Sequence, residues 1–496
     1  MRCDGWLRLC SDGRVLSVAI IGSGFGGVGM GIALKKAGID SFAIFEKADK
    51  LGGTWRDNTY PGAACDVPSH LYSYSYEIKP DWSRMYAEQP EILSYLQACA
   101  DKYGITPHIR FGCEIASATF DETHGAWLFT TTKGAEVSAR TLVAACGQLN
   151  RPAMPKIAGL SSFAGPSFHS ARWDHEIDLR GKRVSVIGTG ASAIQFVPPV
   201  AAQAAHLDLF QRSPPYILPK WDRAYRGIEK RMFERLGIVQ SLHRKGMYAW
   251  GEARFMGLET GGFTNALVKK MTLRHLEKSV SEPTLRAALT PDYPPGCKRI
   301  LISNDYYPAL CRPNVSLIID PILRVEPRGV VTREQGLFAA DVLIFGTGFQ
   351  STDFLAPIAV RGKGGALLKD AWRDGAEAYL GITVSGFPNF FMLYGPNTNL
   401  GHNSILVMLE AQIGYAVAAI DRIEKDNLRY LDLKPHVFGS FQKEVARRLA
   451  DQVWQAGCTS WYKNAAGRNT NNWFGLTLEY RWRTRRPDFA EYDAVR

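Results

Sequence analysis

The sequence predicts an α/β protein built on two Rossmann-like dinucleotide-binding units, with a helical insertion in the second. Three observations carry this. Strand–glycine–helix–strand units occur twice, at 15–46 and at 183–213. Their second strands end on residues of opposite charge, Glu46 and Arg212. Between 221 and 289 the composition turns basic, with apolar residues at helical spacing. At 496 residues the chain is too long for one core, so two or three domains are expected.

In the first unit a β-branched run at 15–21 leads into Gly22-Ser23-Gly24-Phe25-Gly26-Gly27. A helical pattern continues to Gly38, and a second strand at 41–45 ends at Glu46. Gly22 permits the tight turn, Gly24 lets backbone approach a pyrophosphate, and Gly27 lets helix pack on strand. The helix N-terminus offers N–H groups to the phosphates, and Glu46 stands where a carboxylate takes ribose hydroxyls. The stretch 52–66 follows, Gly-Gly-Thr-Trp-Arg-Asp-Asn-Thr-Tyr-Pro-Gly-Ala-Ala-Cys-Asp. Its glycines, large aromatic and terminal Asp66 predict a path along a planar cofactor that ends at the reacting centre.

Residues 68–110 read as mixed and largely helical, and 119–132 and 136–145 as hairpin-like strands. The apolar segment 142–147 ends in Gly147, as a strand leaving a nucleotide domain would. The stretch 163–174 reads as a linker loop, with His169 structural. The second unit has a strand at 183–187, then Gly188-Thr189-Gly190-Ala191-Ser192-Ala193, a helix to about 204 and a strand at 206–210. Gln211-Arg212-Ser213 follows. A carboxylate there would repel a 2′-phosphate, whereas arginine pairs with it through bidentate hydrogen bonds. The first site therefore suits a dinucleotide with a free ribose, the second NADP, and together they point to FAD plus NADPH. After the insertion come Lys298-Arg299, strands at 315–319, 341–345 and 390–394, and a helix from Ser404 to about 422.

Hydrophobic content of 46% and charged content of 22% are those of an ordinary globular protein. The net charge of +11 is spread out, without a block of like charges, and reads as phosphate attraction and solubility rather than nucleic-acid binding. The cysteine count is odd, at nine, and no C-x-x-C occurs. This argues against a disulfide framework or a zinc site and for a reducing compartment, so the expected location is cytoplasmic. No apolar run reaches transmembrane length. Residues 1–14 lack an apolar core and read as an N-terminal arm rather than a signal peptide.

Phe163-x-Gly165-x-x-x-His169-x-x-x-Trp173-Asp174 resembles the fingerprint of type I Baeyer–Villiger monooxygenases. Residues 52–66 resemble that family's second pattern, G-G-x-W-x-x-x-x-Y-P-G-x-x-x-D. The resemblance runs from about residue 15 to 481. It implies an FAD- and NADPH-dependent enzyme that inserts one oxygen of O2 beside a ketone carbonyl through a C4a-peroxyflavin. It also implies that Arg299 is the active-site arginine beside the flavin and Asp66 the carboxylate that orients it. Gly53, Thr54 and Trp55 flank the FAD. Arg212 and Lys298 hold the NADP 2′-phosphate, with Ser213 nearby, and Gly188, Gly190 and Ser192 cradle the dinucleotide. Trp461 sits on a mobile loop near 458–475 that contacts NADP. The expected organisation is an FAD domain at 15–150 and 346–496 and an NADP domain at 151–215 and 294–345, with the insertion at 216–293. An N- or S-oxygenating or hydroxylating flavin monooxygenase is the alternative. A plain flavin reductase or disulfide oxidoreductase is the third reading, the disulfide form disfavoured by the lack of C-x-x-C.

Overall fold

A computed structural model describes residues 15–258 and 262–496; the N-terminal arm lies outside them. The first nucleotide unit folds as its pattern dictates. Strand Leu16–Ile21 leads through Gly22 into helix Phe25–Lys36 and strand Phe42–Phe45. The strands are apolar because parallel pairing leaves both faces covered, and Val18, Ala19, Ile20 and Ile44 are fully buried.

The larger sheet has eight strands. Leu16–Ile21 lies between Phe42–Phe45 and Glu136–Ala144, parallel to both. Ile115–Asp121, Ala126–Thr131 and Glu136–Ala144 form an antiparallel meander on one side. Two strands from late in the chain join it in parallel, Ala359–Arg361 beside Ile115–Asp121 and Phe390–Met392 beside Glu136–Ala144. Helix Ile405–Lys425 covers the sheet; its N-cap Ser404 accepts a bond from the Leu406 N–H at 3.3 Å.

The second unit makes a five-stranded parallel sheet from Ser167–His169, Arg183–Ile187, His206–Phe210, Val315–Ile318 and Val342–Phe345. Helices Gly227–Arg235, Gly237–Ala253 and Phe263–Ser279 form the insertion between its strands.

Several expectations need correcting. Part of the 163–174 stretch is sheet, not linker loop: Ser167–His169 is an edge strand on Val342–Phe345. Gly165 makes that approach possible, since a Cβ there would sit 2.4 Å from the Asp341 carbonyl oxygen. Within 68–110 the main helix is Gln89–Lys102. The aromatics before it pack as irregular chain whose polar atoms bind neighbouring segments, as when the Tyr95 hydroxyl donates to the Glu77 carbonyl at 2.6 Å. The expected strand at 119–132 straddles a turn between Ile115–Asp121 and Ala126–Thr131. A three-stranded antiparallel sheet at 322–339 was not anticipated.

The disulfide part of the cysteine reading fails, because Cys297 and Cys458, 161 residues apart, are joined in a disulfide with Cα atoms 6.3 Å apart. Cys113 is disulfide-bonded as well. Sequence parity says nothing about which thiols the fold brings together. Among the described residues no helix is long and apolar enough to cross a membrane, and no His, Cys, Asp and Glu cluster could hold a metal.

Trp127 is fully buried in the larger sheet, and its indole N–H donates to the Pro388 carbonyl at 2.9 Å. Trp127→Ala removes both packing and bond. It is expected to cost about 3–5 kcal/mol, read as a lowered denaturation midpoint.

Candidate functional site

Each glycine unit builds a cradle. In the first, Gly22 has φ +101°, and a Cβ on Gly27 would lie 1.9 Å from the Gly22 carbonyl oxygen. No other residue could pack the helix on the turn this closely. Gly24 meets Gly53, where a Cβ would stand 3.1 Å from the Gly24 Cα. The two loops thus present bare backbone to one cleft.

This cleft is lined by Gly22, Ser23, Gly24, Glu46, Lys47, Gly53, Thr54, Trp55, Gly147, Asn150 and Tyr394, among others. Next to Gly147, buried Gln148 leaves both amide atoms without a protein partner. These features fit an extended dinucleotide such as FAD.

Glu46 is more tightly held than sequence reasoning foresaw. One oxygen accepts from the Ser23 N–H at 3.0 Å and hydroxyl at 2.7 Å. The other accepts from the Ala48 N–H at 3.0 Å and pairs with Arg56 at 2.9 Å. Trp55 is oriented by its indole N–H bond to the Tyr72 hydroxyl at 3.1 Å.

The far end of the 52–66 stretch is clamped onto the second unit by Gln195, on helix Ala193–Ala201. Its amide oxygen accepts from the Tyr60 hydroxyl at 3.0 Å, and its NH2 donates to the Ala64 carbonyl at 3.0 Å. Gly62, φ +80°, lies so close to this helix that a Cβ would be 2.6 Å from the Gln195 carbonyl oxygen. Asp66 emerges from this clamp and meets Arg299. The guanidinium donates to one Asp66 oxygen from Nη2 at 2.6 Å and Nε at 3.0 Å, and from Nη1 to the Leu400 carbonyl at 3.4 Å.

The Arg299 and Asp66 side chains are 27% and 33% exposed. Burial alone would raise the Asp66 pKa; the adjacent guanidinium outweighs it and holds the carboxyl below its usual range. The Asp66 charge in turn raises the Arg299 pKa against desolvation. Tyr394 and Tyr462 flank Arg299; desolvation pushes the Tyr462 phenol up to about 12, so it stays neutral. A place beside Arg299 was not anticipated for either tyrosine, since it depends on how distant segments fold together. Nor was one for Arg254, which stacks on Trp250 at 4.8 Å and whose charge bears on both Asp66 and Arg299.

The second cradle repeats the first. Gly188 has φ +109°, and a Cβ would meet the Gly346 carbonyl oxygen at 2.4 Å. Gly190 is open, and Ser192 is the N-cap of helix Ala193–Ala201. Lys298, adjacent in sequence to Arg299, donates to the Ser213 hydroxyl at 2.5 Å. Desolvation and nearby Arg212 both lower its pKa, outweighing the opposing charge of Asp292. This cluster fits a 2′-phosphate.

Of the remaining candidates, buried His169 accepts the Ala171 N–H through Nδ1 at 3.1 Å and packs on Phe349. Phe163 packs against the core beneath the three-stranded sheet. Trp173 lies against Phe168 and Phe196. Asp174 is exposed and caps a turn through the Glu176 N–H at 3.0 Å. None of these four reaches the Arg299–Asp66 pair. The segment carrying Trp461 is tied down by the Cys297–Cys458 disulfide, and its carbonyl accepts from Ser351 Oγ at 2.8 Å and Asn471 Nδ2 at 3.0 Å.

Because the Asp66 pKa is depressed on folding, its stabilising effect is complete above the unfolded carboxylate value of about 3.9. It is lost only as pH falls through the lower folded value. The stability gap between the parent and Asp66→Asn should therefore be flat through neutral and weakly acidic pH and should narrow in stronger acid, as thermal unfolding across pH would show.

Comparison with known proteins agrees with this geometry. The family profile described as pyridine nucleotide-disulphide oxidoreductase matches residues 19–226. A Baeyer-Villiger monooxygenase of Pseudomonas aeruginosa is 45% identical over 97% of this chain and 91% of its own. The crystal structure of OTEMO in complex with FAD and NADP superposes with a TM-score of 0.87 at 27% identity, covering 97% of this chain and 99% of that one. Cyclohexanone monooxygenase from Rhodococcus sp. Phi1 bound to NADP+ gives 0.86 at 28% identity, over 97% and 99%. With two nucleotide cradles converging on one arginine–carboxylate pair, and with such identity along almost its whole length, the chain belongs to the Baeyer–Villiger monooxygenases.

Proposed function

We propose that this enzyme, with FAD in the first cradle and NADPH in the second, uses O2 to insert one oxygen atom beside a ketone carbonyl and gives an ester or lactone. The observation that carries the reading is the Arg299–Asp66 pair at 2.6 Å, held between the two cradles. When bound, FAD supplies the redox chemistry, taking reducing equivalents from NADPH and activating O2.

The chain supplies position and charge. Arg299 places a fixed cation where negative charge develops on the substrate oxygen as its carbonyl is attacked. It stays protonated at any working pH, so it stabilises charge without donating a proton. Asp66 holds two of its N–H groups, which fixes the plane and direction of the guanidinium. Tyr462, buried and neutral, and half-buried Tyr394 help keep water from the site. On the other side, Arg212, Ser213 and Lys298 bind the 2′-phosphate and select NADPH over NADH. Lys298 and Arg299, as neighbours in the chain, couple NADPH binding to the position of the reacting-centre cation. The lack of any C-x-x-C argues against the dithiol chemistry in the matched family's description.

The reaction is tested by mixing the holoenzyme anaerobically with NADPH, then adding oxygenated buffer and a panel of cyclic, linear and aryl ketones. Ester or lactone products should appear by mass spectrometry; hydrogen peroxide as the sole product with every ketone would refute the proposal. Arg299→Ala is expected to leave flavin reduction largely intact and to lower oxygenation by about 10²–10³-fold, the usual effect of deleting one charge-stabilising donor. Near-parental ester formation in that variant would remove Arg299 from its role. Arg212→Ala should raise KM for NADPH by roughly tenfold or more, as expected for lost charge-assisted bonds, while KM for NADH stays nearly constant.

A further inference from the structure

The helical insertion turns one apolar face outward. In helix Gly237–Ala253 the exposed positions are 237, 238, 242, 245, 246, 249, 250 and 253, a single stripe at helical spacing. Ile238 is 72% exposed and Leu242 61%, and Trp250 is exposed a few turns on. Trp221, 62% exposed, extends the stripe with its ring 5.7 Å from that of Trp250. The preceding helix, Gly227–Arg235, exposes Ile228 and Met232 one turn apart.

The opposite face of Gly237–Ala253 is committed to the protein. Gln240 donates to the Lys79 carbonyl at 2.9 Å, Arg244 to the Ser73 hydroxyl at 3.1 Å, and Asn403 to Glu252 at 2.7 Å. Helix Thr477–Arg483 is attached beside it, with the Thr477 hydroxyl donating to the Tyr248 hydroxyl at 3.0 Å. That helix exposes Leu478 and Trp482, next to Arg481 and Arg485.

The charge around these apolar groups has one dominant sign. Residues 221–289 hold thirteen lysines and arginines against seven acidic residues, more than half of the chain's net +11. One of the seven, Glu252, is consumed by Asn403 and the Leu478 N–H. Arg231, Arg235 and Lys245 are exposed; of the acids on helix Gly227–Arg235, Glu229 is paired with Arg223 and Glu234 is exposed.

A protein partner fits this face poorly, because lysine is depleted from the centres of protein interfaces and here Lys245 lies within the stripe. A membrane surface fits it well. Lysine and arginine extend their heads to lipid phosphates while their stems cover apolar surface, and indoles settle at the boundary between headgroup and acyl chain. We propose that this face docks the enzyme peripherally on an anionic lipid bilayer, with Ile238, Leu242 and Trp250 entering the headgroup–acyl boundary and the surrounding cations facing lipid phosphates.

The test is co-sedimentation of the holoenzyme with vesicles of phosphatidylcholine alone and of phosphatidylcholine mixed with phosphatidylglycerol, at low and at physiological salt. Binding should be confined to the anionic vesicles and should weaken as salt rises. Ile238→Asp/Leu242→Asp should lose binding by roughly tenfold or more while keeping the parental NADPH turnover and unfolding midpoint. If that variant fails to fold, Arg231→Glu/Lys245→Glu serves in its place, with the same expected loss. Equal binding to both vesicle types, binding to neither, or undiminished binding by the folded variant would overturn the proposal. So would a concentration-dependent dimer, seen by size-exclusion chromatography and abolished by the same substitutions, which would assign the face to a second copy of the chain.

Discussion

The structure depends on one ion pair, Asp66 with Arg299. The two residues are 233 positions apart, and each comes from the end of a segment that first serves a nucleotide cradle. Asp66 closes the stretch that begins at Gly53 against Gly24. Arg299 follows Lys298, whose ammonium bonds Ser213 in the other cradle. The pair is thus where the two halves meet, and it can form only when both halves are folded and correctly docked. Its partners explain why it is ionised. A guanidinium and a carboxylate partly removed from water would each be costly alone, and together they compensate that cost.

The docking is enforced by backbone as much as by charge. Gly62 against the carbonyl of Gln195, and the Gln195 amide against Tyr60 and Ala64, bring the 52–66 stretch within van der Waals reach of helix Ala193–Ala201. Gly165 does the same for Ser167–His169 against its sheet. The fingerprint residues 163–174 pack in the second sheet rather than at the Arg299–Asp66 pair. Phe163, Trp173 and His169 seat a strand and its following turn in the second sheet, and that sheet carries the Gly188 cradle. The Cys297–Cys458 bridge adds a covalent link between the Lys298-Arg299 segment and the segment of Trp461.

The helical insertion joins two kinds of surface. Its inner side reaches the reacting centre through Arg254 and through Glu252 bound to Asn403, three residues beyond Leu400, whose carbonyl accepts from Arg299. Its outer side is the apolar and cationic stripe.

The sequence by itself determined the two nucleotide units, because glycines at a strand-to-helix turn answer a local steric demand that any reader of the chain can see. It also determined the opposite charges at Glu46 and Arg212, since these follow from position at a strand end. The resemblance in 52–66 and 163–174 pointed to Asp66 and Arg299 before any geometry was known. Tertiary structure alone decided the rest. Tyr394, Tyr462 and Arg254 reach the site by folding from distant segments, and no local pattern distinguishes them from packing residues. Glu46 was legible as a carboxylate at a strand end, but its bonds to Ser23, Ala48 and Arg56 depend on how two loops fold back. The edge strand Ser167–His169 and the Cys297–Cys458 bridge were misread for the same reason. Both exist through partners far along the chain, and short segments take their conformation from such partners rather than from their own residues.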